Sequence, residues 1–165
     1  MKKVFLLVLT IWAAACILGC QEQQAIPTEP APFTVSVEDV AIRIHDPAAP
    51  VIEALGEPLS YTEETSCAYD GLDKTYYYGS FYLTTCPGSD GDRIQSLWFA
   101  DDSIATAEGI TIGTAQTEVE STYGAECFNG SAAYVISRGE GTMTIIVSEG
   151  TVTGIRYDGS LERPD

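Results

Sequence analysis

The sequence is short of histidine, of basic side chains and of metal-ligand spacings, and each shortage removes a class of function. One histidine, His45, serves all 165 residues. No serine sits in a G-x-S-x-G elbow and nothing local partners the imidazole, so neither a serine nor a cysteine–histidine nucleophile is supported. No C-x-x-C or H-x-x-x-H spacing occurs, so no zinc site is written in the chain. Ser89-Asp90-Gly91-Asp92 and Asp101-Asp102 offer oxygens, but neither has the alternating ligands and closing Glu of a calcium loop. They read as solvated turns, and Asp70, Asp73 and Lys74 as a further turn with a local ion pair. The expectation is a chain that is not an enzyme and needs no metal and no cofactor.

Positive charge is equally scarce. Eight Lys and Arg stand against 24 Asp and Glu. Two of the cations, Lys2 and Lys3, lie at the extreme N-terminus; without them six face 24, a net −18. A field of that sign repels phosphate backbones and anionic headgroups, which argues against nucleic acid as a partner. It suits a basic protein, cations, or simple solubility.

Long apolar runs are limited to one. Lys2-Lys3 precede Val4 to Leu18, and a run of about 15 residues is short for a bilayer but suits a signal sequence. It ends in Ile17-Leu18-Gly19-Cys20, which resembles the lipobox of bacterial lipoproteins; Cys16 is a weaker competing site. The resemblance implies cleavage before Cys20 and lipidation of its thiol, with a diacylglycerol or palmitate chain holding the protein at the extracytoplasmic face of the cell membrane. Residues 1–19 then form the signal peptide. Residues 20–34 form the lipidated cysteine and a flexible tether, because QEQQAIPTEPAPFT has little to bury. The expected folded domain is 35–159, followed by a tail at 160–165.

Within that domain the chain repeats itself. IRIHDPAAPVIEALGEP (Ile42 to Pro58) lies over ITIGTAQTEVESTYGAE (Ile110 to Glu126) without a gap. Ile42 falls on Ile110, Ile44 on Ile112, Val51 on Val119, Leu55 on Tyr123 and Gly56 on Gly124. Each copy reads as a short extended stretch, about two turns of helix and a glycine stop. Asp46 or Thr114 is expected to cap the helix, with Pro47 at the first helical position of copy one. Val51 with Leu55, and Val119 with Tyr123, share a helical face.

Strand-rich sequence follows each helix. In copy one, strands are expected near Ser66–Tyr69, Thr75–Tyr78, Phe81–Thr85 and Ile94–Phe99, with a tight hairpin at Gly79-Ser80. In copy two they are expected near Ala133–Ser137, Met143–Ser148 and Val152–Tyr157, while Cys127–Ser131 reads as loop. Alternation puts Phe81, Leu83, Leu97, Phe99, Met143, Ile145, Ile155 and Tyr157 toward the helices. The opposite face then carries Tyr82, Ile94, Ser96, Trp98, Thr144, Ile146, Gly154 and Arg156. Tyr77 falls on one face, Tyr76 and Tyr78 on the other.

The expected fold class is α+β, with two tandem pseudo-repeats (about 40–101 and 108–159), each a short helical unit followed by an antiparallel β-meander. This pattern resembles the β-lactamase-inhibitor-protein-like fold. SCAYDGLDKTYYYGSFYLTT (Ser66 to Thr85) and WFADDSIATAEGITIG (Trp98 to Gly113) are similar to uncharacterised lipoproteins of Gram-positive bacteria. In the inhibitor family an aromatic concave sheet grips an enzyme and an acidic hairpin tip enters it. Here the matching tip, Tyr78-Gly79-Ser80, has no acid, so the resemblance implies protein binding in general. Tyr77, Tyr82, Trp98 and Arg156 are the candidate contact residues, since aromatics and Arg dominate interfaces. The expected role is a non-enzymatic protein-binding module at the cell surface. The alternatives are an envelope-assembly or structural lipoprotein, an enzyme inhibitor and a thiol-dependent enzyme.

Three cysteines remain in the folded part. A bridge of Cys127 with Cys67 or with Cys86 would tie the copies together, and outside the cytoplasm it is permitted. A Cys67–Cys86 bridge is less attractive, because strands one and three of a meander lie about 9–10 Å apart. Three unpaired thiols are the other reading.

Overall fold

A computed structural model describes residues 31–160. The signal sequence, Cys20 and the tether through Pro30 lie outside the described residues, as does the tail from Leu161. Nine strands and two helices follow one another as β1 Thr34–Val37, β2 Val40–Arg43, α1 Ala48–Leu55, β3 Ser60–Thr65, β4 Leu72–Tyr77, β5 Phe81–Gly88, β6 Gly91–Phe99, α2 Gln116–Tyr123, β7 Ala133–Arg138, β8 Gly141–Ser148 and β9 Thr151–Gly159. The class is α+β, and antiparallel sheet dominates. Strands β1 and β2 form a hairpin of their own, while the other seven make one sheet in the order β3-β4-β5-β6-β9-β8-β7. The β6–β9 ladder at its centre has three registered pairs, against eight between β5 and β6.

Each helix is eight residues long, and the second begins 68 positions after the first, at 116 against 48. Both stop where expected. Gly56 (φ 78°) and Gly124 (φ 91°) adopt a backbone that favours glycine, and each donates its N–H to the carbonyl four residues back. The expected side-chain caps are absent. Pro47 and Ala115 occupy the cap positions with no side-chain cap bond, and Pro47 is thus one place ahead of the first helical residue. Asp46 and Thr114 stand one residue ahead of the observed cap positions. Both helix starts are tied into the sheet by backbone: His45 N–H donates to Ile94 O (2.7 Å) and Ile94 N–H to Asp46 O (3.0 Å), while Gly113 N–H donates to Val152 O (2.8 Å) and Val152 N–H to Thr114 O (2.8 Å). The Thr114 hydroxyl is meanwhile taken by the Thr111 N–H at 3.0 Å.

The hairpin turns follow their residues. Tyr78 N–H reaches Phe81 O at 3.0 Å around Gly79-Ser80. Glu149 (φ 51°) and Gly150 (φ 78°) are both left-handed, which matches the right-handed twist of the strands they join. The strand expected at Ser66–Tyr69 is instead a turn, because the Ser66 hydroxyl accepts the N–H groups of Ala68 and Tyr69 and curls the backbone. The strand itself lies just upstream at Ser60–Thr65. All six of its residues are exposed, so no alternation marks it. Lys74 pairs with Asp92 across the sheet at 2.7 Å, not with Asp70 or Asp73.

One continuous core lies between the sheet and the helices. Phe81, Leu83, Leu97, Phe99, Met143, Ile145, Ile155 and Tyr157 all face it, as alternation predicts, and Ala48, Val51, Val119, Ile42 and Ile110 cover them. Each such fully buried large side chain contributes roughly 1.5–3 kcal/mol. Ile94 departs from its expected place on the open face and is fully buried. A bulge explains it: Thr84 pairs with Ser96 but Thr85 with Ile94, so Gln95 is an extra residue that reverses the parity beyond it. The same event recurs in β9, where Ile146 pairs with Gly154 and Val147 with Val152, leaving Thr153 extra. The fold also begins earlier than expected. Phe33 is buried edge-on against Tyr157 at 5.3 Å, with the Arg138 guanidinium 4.8 Å from its ring centre, so Phe33 and Thr34 belong to the domain and not to the tether.

Candidate binding face

Helices, hairpin and the buried part of the 100–115 link all lie on one side of the sheet, which leaves the other side to solvent. Cross-strand pairing lines up its side chains. Ser60 pairs with Tyr77, Tyr77 with Tyr82, Tyr82 with Trp98, Trp98 with Arg156, Arg156 with Thr144 and Thr144 with Val135. The four candidates read from the sequence are therefore consecutive in one row across four neighbouring strands. Tyr77 and Tyr82 stack with centroids 4.5 Å apart and 22° between planes. The Arg156 guanidinium lies 6.0 Å from the Trp98 ring centre. Tyr82 is 41% exposed and Trp98 47%, so neither is sealed in the interior.

A second row runs beside the first. Two residues along each strand the pairing gives Thr62, Thr75, Thr84, Ser96, Asp158, Thr142 and Ser137. Six of the seven carry hydroxyls; Thr75 and Thr84 touch at 3.3 Å, Ser137 and Thr142 at 3.4 Å. Asp158 holds Arg156 at 2.6 Å, which fixes the guanidinium over the indole and cancels its charge. The middle of the two rows, Tyr77, Tyr82, Trp98 and Arg156 with Thr75, Thr84 and Ser96, lines a groove of about 690 Å³ that Ile112 and Thr153 border. No family model, curated protein or solved structure matches this chain.

The hydroxyl row and Asp158 were missed as site residues, although the signal was available. Thr75, Thr84, Ser96 and Asp158 each stand two positions from an aromatic or Arg of the first row, and residues two apart on a strand share a face. Ile112 could not have been found that way, since it comes from the link.

The other residues singled out by sequence lie elsewhere. His45 has a left-handed backbone (φ 68°), and its Nδ1 stands 3.2 Å from the Glu140 carboxylate in the β7–β8 turn. With Pro32 and Phe33 it borders a separate cavity of about 360 Å³. Cys67, Cys86 and Cys127 are free thiols, so of the two readings left open by the sequence the bridge of Cys127 with Cys67 or Cys86 is not formed. Cys67 lies exposed in the β3–β4 turn, and Cys86 is buried with its thiol toward the Gln95 side-chain oxygen at 3.4 Å. Cys127 bonds the Tyr123 carbonyl at 3.1 Å. Each has its own surroundings, and burial, with the nearby Asp73 and Asp92 charges, pushes the Cys86 thiol above its ordinary pKa.

The five basic side chains of the described region all stand within 4.0 Å of a carboxylate: Arg43 by Asp46, Lys74 by Asp92, Arg93 by Asp90, Arg138 by Glu108 and Arg156 by Asp158. Among the described residues no group of three or more His, Cys, Asp or Glu is set to hold a metal ion, and no helix is long and apolar enough to cross a membrane.

Proposed function

We propose that this chain is a lipoprotein, cleaved before Cys20 and anchored through it at the outer face of the cell membrane, that captures a protein partner on its open sheet face. The observation that carries the binding role is the exposed row Tyr77, Tyr82, Trp98, Arg156. A soluble domain leaves such aromatics in water at a cost, and Tyr, Trp and Arg are the side chains from which interface energy is mostly drawn. The row is also partly arranged before any partner arrives. Stacking fixes Tyr77 on Tyr82, and Asp158 holds Arg156, so little side-chain entropy is lost on binding.

In the same reading the domain is two copies of one helix-then-meander unit, like the β-lactamase-inhibitor-protein-like fold. Three correspondences support it. The helices begin 68 residues apart and end on equivalent glycines; the paired backbone bonds of 45 and 46 with Ile94 recur at 113 and 114 with Val152; and Gln95 and Thr153 make matching bulges. The last strands of the copies, β6 and β9, meet in the middle, and the contact row crosses their junction.

The test is capture from the native envelope with the detergent-solubilised chain as bait. Replacing Tyr82 and Trp98 together by Ala is expected to abolish capture and leave the melting temperature within a few degrees of the parent. Capture of the same partner by that variant would sink the reading.

A further inference from the structure

Strand β3 is an edge of the sheet along whose outer side no described segment pairs. It hydrogen-bonds β4 along six consecutive pairs, Ser60↔Tyr77 to Thr65↔Leu72, without a bulge. The opposite edge is treated differently. There the segment before β7 folds back on the start of the strand, with Phe128 bridging Tyr134 and the Asn129 N–H bonding Ala133 O at 2.9 Å. An uncovered, regular edge presents a row of unpaired amides and carbonyls to any extended chain. Leu59, Tyr61 and Leu72, all exposed, flank it with apolar surface that a partner would cover.

Charge selects the occupant. Glu63 and Glu64 lie on the strand, Asp70 and Asp73 beside it, and Glu57 just before it. The nearby Lys74 is already held by Asp92. A second copy of the chain would bring the same acids against these, and repulsion opposes that pairing. The chain's own N-terminal segment fits no better. It enters the fold at Phe33, beside Tyr157 and Arg138 at the β9–β7 side of the sheet, and its sequence brings Glu22, Glu29, Pro27 and Pro30. Prolines cannot donate to a ladder, and those acids share the sign of the edge.

We infer that β3 is a strand-addition site for an extended, lysine- or arginine-bearing segment of another protein. Backbone bonds to the edge supply register and much of the affinity, and alternate cationic side chains meet Glu63 on one face and Glu64 on the other. The site is separate from the aromatic groove and stands or falls without it.

The probe is a synthetic peptide of alternating lysine and threonine, added to the detergent-solubilised full chain and followed by amide hydrogen exchange. Slowed exchange confined to 60–65 is expected, together with affinity that falls as salt rises. The same peptide N-methylated at alternate positions cannot bond the edge and is expected not to protect it, and a glutamate–threonine peptide is expected not to bind. Glu63→Lys with Glu64→Lys, both exposed positions, the first also accepting the Tyr61 hydroxyl at 2.6 Å, is expected to weaken binding of the lysine peptide by about tenfold or more. Tyr82→Ala with Trp98→Ala leaves the protection of 60–65 unchanged, which separates this site from the groove. Equal binding of the N-methylated peptide, protection elsewhere in the sheet, or protection of 60–65 by self-association of the chain alone would each overturn the inference.

Discussion

Cys67, Cys86 and Cys127 are chemically alike in the sequence and unlike in the fold. A thiol reacts as its thiolate, so access and pKa together set its rate. Cys67 is exposed in a turn, Cys127 half-buried against a helix end, and Cys86 buried with its pKa raised by burial and nearby acids. Timed alkylation of the native protein, read by peptide mass spectrometry, is expected to label Cys67 first and Cys86 only after denaturant opens the sheet. Early labelling of Cys86 would contradict its burial. At this scale the sequence was least informative. Spacing says nothing about which thiols meet, and so a bridge of Cys127 and three unpaired thiols both stay open at the level of the sequence. Trp98 was more legible, since it alternates with Leu97 and Phe99, and one side of a strand had to face water.

Helix ends and core strands are legible in the sequence, helix starts less so, because the caps lie at Pro47 and Ala115 and not at Asp46 and Thr114. Both helices stop on glycines whose backbone requires them, and the core strands show their period-two pattern. Two further features are not written in any local rule. Strand β3 is exposed on both faces, so hydrophobic periodicity cannot mark it. The bulge at Gln95 reverses parity within one strand, which no alternation rule anticipates, and so Ile94 was sent to the wrong face. Deleting Gln95 would close the bulge yet leave Ile94 beside Ser96 and opposite Thr85, still facing the core, so the seat is tested by Ile94→Ala. The expected cost is about 2–5 kcal/mol in urea unfolding, the scale of emptying a buried isoleucine site. Val152→Ala, at the matching bulge, is expected to be destabilised as well, by less for its smaller side chain. Unchanged stability in either variant would mean that these side chains are not seated in the core.

For the molecule as a whole, buried phenols set an alkaline limit. Burial pushes the pKa of Tyr157 well up, as it does that of Tyr123, which also donates to the Glu108 carboxylate at 2.7 Å. A group whose folded pKa lies above its unfolded value contributes stability that is complete below the unfolded pKa, about 10 for tyrosine, and is lost as pH rises above it. The melting temperature is therefore expected to hold through neutral pH and to fall above about pH 10. Tyr157→Phe, which has nothing to ionise, should flatten that fall in a calorimetric pH series. An identical slope in the variant would show that other groups control it.

The three-pair ladder between β6 and β9 has a mechanical meaning. Fewer registered pairs join β6 to β9 than join any other neighbours in the sheet, the next fewest being the four between β4 and β5, so a load applied across the strands is expected to part the sheet at β6–β9 first. Trp98 and Arg156 face each other over that seam, so whatever clasps both of them rivets its two sides together.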